Sequence, residues 1–384
     1  MSPAPARPRP EDARHMARAL SLAARALGET NPNPAVGCVI VRAGRVVGEG
    51  FHRRAGGPHA EVAALAQAGA RAHGATLYVT LEPCAHAGRT PPCAPAVAAA
   101  GVRRVVAAVA DPNPRVAGRG LRLLRASGIE VVTGVLADRA ALLNERFLVA
   151  FARGRPFVLL KAGLTLDGRI ATAGGRSKWI TSAVQRRAAR RLRRLFDGVA
   201  VGIGTVRADD PLLLPEPRTR RPFTRVVFDS RLLLPLGSRL VKTARQQPVI
   251  VLAAPGSGAR RRALEDAGVR VVAVPGGPRP RAALRALWGL GLRSLMVEGG
   301  SELLGSFLAD RAFDQVALFR APLLLGGRGS LSAFGGPDPR SLARAVRLVP
   351  RSPRAPALDP ALDPALGPVL SAGGELWYAP ARKG

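Results

Sequence analysis

A histidine, a glutamate and two cysteines stand out in the first hundred residues. His59 and Glu61 lie in His59-Ala60-Glu61, Cys84 follows Leu81-Glu82-Pro83, and Cys93 follows Pro91-Pro92. One imidazole and two thiolates make three ligands for zinc, and three protein ligands leave the fourth tetrahedral position to water. An open position means chemistry rather than scaffolding. Zinc lowers the pKa of bound water from about 15.7 to about 7. That difference is worth roughly 12 kcal/mol in making hydroxide available. Glu61 then supplies a carboxylate that can carry protons to and from that water. A closed zinc knot would need a fourth side chain. His86 is the nearest, but it shares the short loop with both cysteines, and the His-x-Glu pair would then be idle.

The surrounding elements must hold these groups together. Apolar spacing predicts a helix over 14–27, then a turn at Asn31-Pro32-Asn33-Pro34. Strands follow over 35–41 and 46–51, joined by a turn at Ala43-Gly44. A helix over 59–71, a short buried strand over 75–81 and a helix from 93 to 100 come next. Two more strands, 104–110 and 129–132, flank another helix. His59 and Glu61 then start one helix, and the cysteines lie at the strand-to-helix connection beside it. Helix N-termini carry partial positive charge, which favours thiolates. Strands alternating with helices imply an α/β sandwich with parallel strands.

After a linker at Ala152-Arg153-Gly154-Arg155-Pro156 the alternation restarts, with strands expected over 157–161, 198–202, 225–228, 249–252, 269–274, 294–298 and 315–319. Leu376 to Tyr378 is expected to close a sheet as an edge strand. Ala357-Leu358-Asp359-Pro360 recurs as Ala361-Leu362-Asp363-Pro364, a low-complexity piece that reads as a flexible loop. The domains expected are a disordered arm over 1–12, a zinc domain over 13–150 and a second α/β domain over 156–384.

The bulk numbers fit two domains. The chain has 384 residues, 47% of them hydrophobic, enough for substantial cores. No apolar run approaches a membrane span, and the basic, proline-rich N-terminus lacks an apolar signal region. A cytoplasmic protein is expected. Three cysteines argue against a disulfide framework, and Cys38 reads as a buried core thiol. The net charge of +32 raises the question of nucleic acid. Lysine, however, occurs only at 161, 178, 242 and 383, so the charge is nearly all arginine within a general Ala/Gly/Pro/Arg bias. Aromatics at 4% are too few for base-stacking platforms. The charge favours anionic small molecules, and neither a nucleic-acid nor a membrane partner is expected.

His-x-Glu followed by Pro-Cys is the signature of zinc deaminases acting on nucleobase-like rings, where the second cysteine follows after two residues. Here eight intervene, Ala85 to Pro92, which argues against a plain tRNA-adenosine or cytidine deaminase. Three long motifs carry a closer resemblance: Asn31 to Gly37 (NPNPAVG), Glu82 to Cys93 (EPCAHAGRTPPC) and Asp111 to Gly120 (DPNPRVAGRG). They resemble the bifunctional deaminase/reductase family of riboflavin biosynthesis. That family deaminates a diaminopyrimidinone ribosylamine 5'-phosphate, then reduces its ribose to a ribityl chain with NADPH. The resemblance implies an N-terminal cytidine-deaminase-like α/β/α sandwich and a C-terminal dihydrofolate-reductase-like α/β domain. It implies His59, Cys84 and Cys93 as ligands of Zn2+, Glu61 as proton shuttle, and substrate contacts at Asn33, His52, His86 and Arg89. The chemistry agrees in part: an asparagine can hydrogen-bond a pyrimidinone edge, and a guanidinium can grip a phosphate.

In the second half, Val199 to Thr205 (VAVGIGT) and Leu295 to Ser301 (LMVEGGS) place glycines at strand ends, where backbone amides can approach a pyrophosphate. This is not the G-x-G-x-x-G fingerprint, because position 207 is Arg207. Lys161 to Arg169 (KAGLTLDGR), Ser177 to Ser182 (SKWITS) and Gly202 to Pro211 (GIGTVRADDP) resemble the family's reductase half. The resemblance implies NADPH contacts at Gly163, Trp179, Thr205, Asp209, Gly300 and Ser301, with substrate contacts at Ser177, Arg193, Leu213 and Glu298. Lys161 is assigned a polar role near the reacting carbon. One departure stands out. The family usually has a threonine and then a substrate-binding arginine in the loop after Asp209-Asp210-Pro211, where this chain has Leu214 and Glu216, with Arg218 as a possible substitute.

The sequence therefore predicts a two-domain enzyme, a zinc hydrolase followed by an NADPH-dependent reductase, and a homo-oligomer. The competing readings are a nucleic-acid (tRNA) deaminase with an accessory domain and a non-catalytic zinc scaffold.

Overall fold

Apolar runs flanked by turn residues become strands buried on both faces, and helices with one apolar stripe cover them. In the computed structural model, residues 7–88, 90–256, 258–350 and 372–378 are described. They divide at Arg153/Gly154 into two compact units. The first contains α1 (Asp12–Ala24), β1 (Gly37–Arg42), β2 (Arg45–Phe51), α2 (Ala60–Ala68), β3 (Thr76–Val79), α3 (Cys93–Ala99), β4 (Arg104–Ala107), α4 (Arg119–Ala126), β5 (Glu130–Thr133), α5 (Ala137–Leu143) and α6 (Glu145–Arg153). Its sheet has the order β2-β1-β3-β4-β5. β1 is antiparallel to β2 and β3, while β3, β4 and β5 run parallel.

Both faces of this sheet are covered. Met16, Ala19, Leu20 and Ala23 form a helical stripe on α1 that packs with Val39, Tyr78 and Val106. Ala60, Ala64 and Ala68 of α2 pack with Cys38, Ile40 and Leu77 on the other side. Small residues let α2 lie close to the sheet. At Gly50 of β2 a Cβ would overlap the carbonyl of Ala60, so α2, which carries Glu61, can seat there only because that position is glycine.

The chain start differs from expectation. Residues 1–6 lie outside the described residues, but α1 already begins at Asp12, which is fully buried. Asp12 receives Arg104 at 2.7 and 2.8 Å and the Tyr78 hydroxyl at 3.0 Å. Arg104 also donates to Glu130 at 2.8 Å. A buried, paired carboxylate is part of the core, so an arm cannot extend to residue 12.

The second unit contains β6 (Phe157–Thr165), β7 (Arg169–Ala171), α7 (Ala183–Arg193), β8 (Gly198–Gly202), α8 (Ile203–Asp209), β9 (Thr224–Phe228), α9 (Arg239–Lys242), β10 (Val249–Ala253), α10 (Ala259–Asp266), β11 (Arg270–Ala273), α11 (Pro280–Gly289), β12 (Ser294–Val297), α12 (Ser301–Ala309), β13 (Gln315–Ala321), β14 (Leu331–Ser332), β15 (Val349–Pro350) and β16 (Gly374–Tyr378). Its main sheet has the order β11-β10-β9-β8-β12-β6-β13-β16-β15. β11 through β13 are parallel neighbours, and β16 and β15 add antiparallel pairs. Separate apolar clusters, one around Leu160, Leu295 and Phe307 and one around Val199, Val227 and Leu264, build its core. α7 starts with a reciprocal cap: Gln185 N donates to Ser182 Oγ at 3.2 Å, and Ser182 N donates to Gln185 Oε1 at 3.0 Å.

One strand expectation is corrected. The segment ending at Tyr378 is not an edge, because β15 pairs with its outer side. The Ala-Leu-Asp-Pro repeat over 357–364 lies outside the described residues.

Candidate active sites

His59 is the cap residue of α2, Glu61 lies in its first turn, and Cys93 opens α3. Cys84 follows the end of β3. These elements bring one nitrogen and two sulfurs within 4.8 Å of one another. His59 Nδ1 is 3.0 Å from Cys93 Sγ and 3.5 Å from Cys84 Sγ. Tetrahedral zinc with Zn–S of about 2.3 Å and Zn–N of about 2.0 Å holds nitrogen and sulfur roughly 3.5 Å apart, so the donor set fits that ion. His86, the sequence candidate for a fourth ligand, is not a member of this cluster. Thr90 Oγ1 lies 3.2 Å from His59 Nε2. With Nδ1 turned to the sulfurs, Nε2–H donates to Thr90 and fixes the ring's orientation. Sequence reasoning assigned Thr90 no role. Its only sequence signal is its place inside the spacer between the cysteines.

The sulfurs differ in acidity. The hydrogen bond from Cys93 is the largest influence drawing the Cys84 thiol down to about 4, burial opposes it, and His59 adds to it. Cys93 is pushed up, first by that same hydrogen bond and then by burial. Glu61 is 3% exposed. Burial pushes its carboxyl up to about 7, against the pull of its backbone hydrogen bond and of His59. A carboxyl poised near neutrality can both take and give a proton.

Asn33 and His52 come to the same place. His52 is buried, and its ring meets that of His59 edge-on at 5.3 Å. His52 Nδ1–H donates to Pro58 O at 3.1 Å, which leaves Nε2 to accept from Asn33 Nδ2 at 3.3 Å. Burial, the largest influence, lowers the His52 pKa and keeps this neutral tautomer. His86 Nδ1 is buried and has no hydrogen-bond partner among the described residues. Arg89 lies outside the described residues.

In the second unit, Lys161 on β6, Arg193 at the end of α7 and Glu298 just past β12 converge. Arg193 holds Glu298 through Nε at 2.6 Å and Nη2 at 3.1 Å, and its Nη1 donates to Leu214 O at 2.8 Å. Lys161 Nζ stands 3.8 Å from the same carboxylate. Burial works against the charge on Glu298, but Arg193 and Lys161 outweigh it and hold the carboxyl below its usual range. Burial lowers the pKa of Lys161, and Glu298 partly restores it.

β8 and β12 are parallel neighbours, so the glycine turns at their C-terminal ends lie side by side. Ligands bind open α/β sheets in such crevices. A Cβ on Gly300 would be 3.5 Å from Thr205 Oγ1, and one on Gly204 would meet nothing within 4 Å. This open cradle fits a pyrophosphate, with Ser301 opening α12 behind it. Gly163 lies two residues beyond Lys161 on β6, and a Cβ there would press on Thr181 at 2.7 Å. Asp209 pairs with Lys178 at 3.1 Å. Trp179 is 68% exposed, with the Arg186 guanidinium 4.2 Å above its ring, so it is not a core aromatic. Ser177 accepts Ile180 N on its carbonyl at 3.1 Å, and among the described residues no hydrogen bond joins it to Lys161, Arg193 or Glu298. Leu213 is buried with a φ of 55°. The departing loop residue Glu216 is exposed and pairs with Arg190 on α7, and Arg218 is exposed.

Comparison with known proteins agrees with both halves. Residues 9–109 match the model of the cytidine and deoxycytidylate deaminase zinc-binding region, and residues 156–353 match that of the RibD C-terminal domain. The riboflavin biosynthesis protein RibD of Aquifex aeolicus is 44% identical over 326 residues, 84% of this chain and 90% of the relative. The Escherichia coli protein of the same name is 43% identical over 338 residues, 82% and 89% of the two chains. The solved structure of Acinetobacter baumannii RibD superposes with a TM-score of 0.80 at 39% identity, covering 89% of this chain and 95% of that one. A deaminase/reductase structure from Thermotoga maritima gives 0.78 at 36% identity, covering 89% and 94%. With a zinc-binding deaminase region and a RibD reductase domain in one polypeptide, the chain belongs to the RibD family of riboflavin biosynthesis proteins.

Proposed function

We infer that the chain catalyses two successive steps of riboflavin biosynthesis. The first removes ammonia hydrolytically from the diaminopyrimidinone ribosylamine 5'-phosphate. The second reduces the ribosyl group of the product with NADPH. The observation that carries the first step is the His59 Nδ1, Cys84 and Cys93 cluster with Glu61 buried beside it. A zinc ion held there supplies Lewis acidity and makes hydroxide available near neutral pH. Glu61 takes one proton from the attacking water and passes it to the ring nitrogen, then takes the second from the added hydroxyl and delivers it to the departing amine. Bound to His52, the Asn33 amide has one N–H committed, which leaves Oδ1 to accept from the ring.

In the reductase unit, Glu298 and Arg193 orient the sugar, and the glycine cradle holds the dinucleotide. NADPH supplies the hydride to the sugar carbon that bears the amine. Lys161, beside the Glu298 carboxylate, is assigned a polar role near the reacting carbon, where its ammonium can supply a proton as the ring opens. The arginine lost from the loop leaves no unpaired acid in its stead, since Arg190 neutralises Glu216.

The small phosphorylated pyrimidine is the partner proposed, rather than nucleic acid. A nucleic-acid deaminase with an accessory domain is not favoured, because the second half matches a reductase family over residues 156–353. The proposed location is the cytoplasm, where thiols such as Cys84 and Cys93 stay reduced. Among the described residues no helix is long and apolar enough to cross a membrane. A homo-oligomer is proposed, to be checked by sedimentation.

The test offers the diaminopyrimidinone ribosylamine phosphate with and without NADPH. Ammonia should appear without cofactor, and NADPH oxidation should follow only when it is added. Absence of ammonia refutes the deaminase. Ammonia without any NADPH oxidation refutes the reductase.

A further inference from the structure

The Asp111–Gly120 motif carries part of the family resemblance but has no role in the chemistry above. The structure ties it to the zinc site through one side chain, Glu82. This carboxylate is 3% exposed. In a chain with 58 lysines and arginines, Glu82 forms no ion pair among the described residues. Four backbone amides hold it instead. Oε2 accepts from Asp111 N at 3.2 Å and Gly118 N at 2.9 Å, and Oε1 accepts from Gly120 N at 2.9 Å and Leu121 N at 3.3 Å. The last two amides belong to the first turn of α4, whose dipole also favours a negative charge.

The other side of the clamp is the cysteine turn. Glu82 N donates to Val109 O at 3.0 Å, which fixes the residue's own backbone. A Cβ at Gly120 would overlap the carbonyl of Pro83, so the start of α4 lies directly on the residue before Cys84. Cys84 then receives Ala94 N on its carbonyl at 2.9 Å and Cys93 N on its sulfur at 3.4 Å. The path from the 111–121 segment to the Cys84 sulfur thus runs through Glu82 and one proline.

We propose that Glu82 is a positioning residue of the zinc site: it ties the Cys84 turn to the Asp111–Leu121 segment and so holds the sulfur in ligating position. This rests on the deaminase reading above.

The test is Glu82→Gln in the full-length, zinc-loaded chain. Glutamine keeps the shape but presents an NH2 group to two amide donors, so half of the clamp is lost. Zinc transfer to a chromophoric chelator should be at least about tenfold faster than in the wild type, the range seen when outer-shell partners are removed. Excess zinc should restore kcat for ammonia release with KM unchanged. Leu124→Val, which loosens the buried face of α4 without touching the four amides, should release zinc at the wild-type rate. If Glu82→Gln does not fold, Glu82→Asp replaces it. Aspartate keeps the charge but retracts it by one methylene, and release should again exceed that of wild type. A wild-type release rate in the Glu82 variant, or equal acceleration in Leu124→Val, overturns the proposal and leaves the deaminase reading standing. A wild-type protein that binds no zinc overturns both.

Discussion

Replacing Arg193 with glutamine should destabilise the reductase unit and spare the deaminase. Arg193 and Glu298 have side chains only 12% and 10% exposed and share two hydrogen bonds at 2.6 and 3.1 Å. Removing one partner of a buried pair costs about 3–5 kcal/mol, because the other charge is left uncompensated. Lys161 remains 3.8 Å away, and at an effective dielectric near 20 a charge at that distance still attracts by about 4 kcal/mol. The loss should therefore fall at the lower end, about 3 kcal/mol. For a unit of this size that corresponds to a melting-point drop of roughly 6–12 °C. The readout is selective, because all three tryptophans, Trp179, Trp288 and Trp377, lie after residue 156, so tryptophan fluorescence follows the reductase unit. The double variant Arg193→Gln/Glu298→Gln, set beside both single variants, should show a coupling energy of at least about 1 kcal/mol. If the two single effects add within about 0.5 kcal/mol, the groups are not coupled and the reasoning fails. Ammonia release, measured in the same samples, should stay at the wild-type rate.

Other outcomes follow from the same geometry. Glu61→Gln should lower ammonia release by about 100-fold or more, the usual worth of a positioned proton-transfer group, while metal analysis still finds zinc. Stripping zinc with a strong chelator should abolish ammonia release but leave NADPH oxidation when the deaminated intermediate is supplied. Asp12 should leave a mark on acid stability. Burial opposes its charge, but Arg104, the Arg9 amide and the Tyr78 hydroxyl outweigh burial and lower its pKa. Its contribution is therefore complete above the unfolded value of about 3.9 and is lost as pH falls through the lower folded value. Asp12→Asn should flatten that part of the acid-unfolding curve, and an unchanged curve below pH of about 4 would contradict the assignment.

The clustering of His59, Cys84 and Cys93 was legible because its parts are local. Cys84 and Cys93 bracket one loop, and His59 caps the helix that carries Glu61, so residue type and spacing were enough. The reductase cluster was not legible this way. Arg193 and Glu298 are 105 residues apart in sequence and meet only because the sheet order interleaves distant strands. Family resemblance named them, but no spacing rule could. The same limit explains the error at the N-terminus. Proline and arginine around Asp12 suggest disorder locally, while its partner Arg104 is 92 residues away. β15 spans two residues, too few to show any period, so β16 looked like an edge.

The arginine excess also has a structural use that composition hides. With 58 basic residues and 26 acids, most guanidiniums cannot find a carboxylate. Many donate to backbone carbonyls where a helix or loop ends. Arg71 reaches Ala68 O and Gln67 O at the end of α2, at 3.1 and 3.0 Å. Arg245 reaches the carbonyl of Asp266, the last residue of α10, at 2.6 Å, and Arg281 donates twice to Asp310 O after α12, at 3.1 and 2.9 Å. Arg225 is fully buried, has no carboxylate partner among the described residues, and holds Thr243 and Gln247 through their oxygens, with Leu212 O at 3.4 Å. Terminal carbonyls of a helix lack intrahelical partners and sit at the negative end of its dipole, so a cation is favoured there even when no acid is present. Lysine offers a point charge, whereas the planar guanidinium has five donors and can bridge two carbonyls at once. This explains how a chain so rich in arginine and so poor in lysine can place many cations without pairing each to an acid. It also separates net charge from function: a guanidinium committed to a carbonyl contributes to the formal +32 while serving the fold.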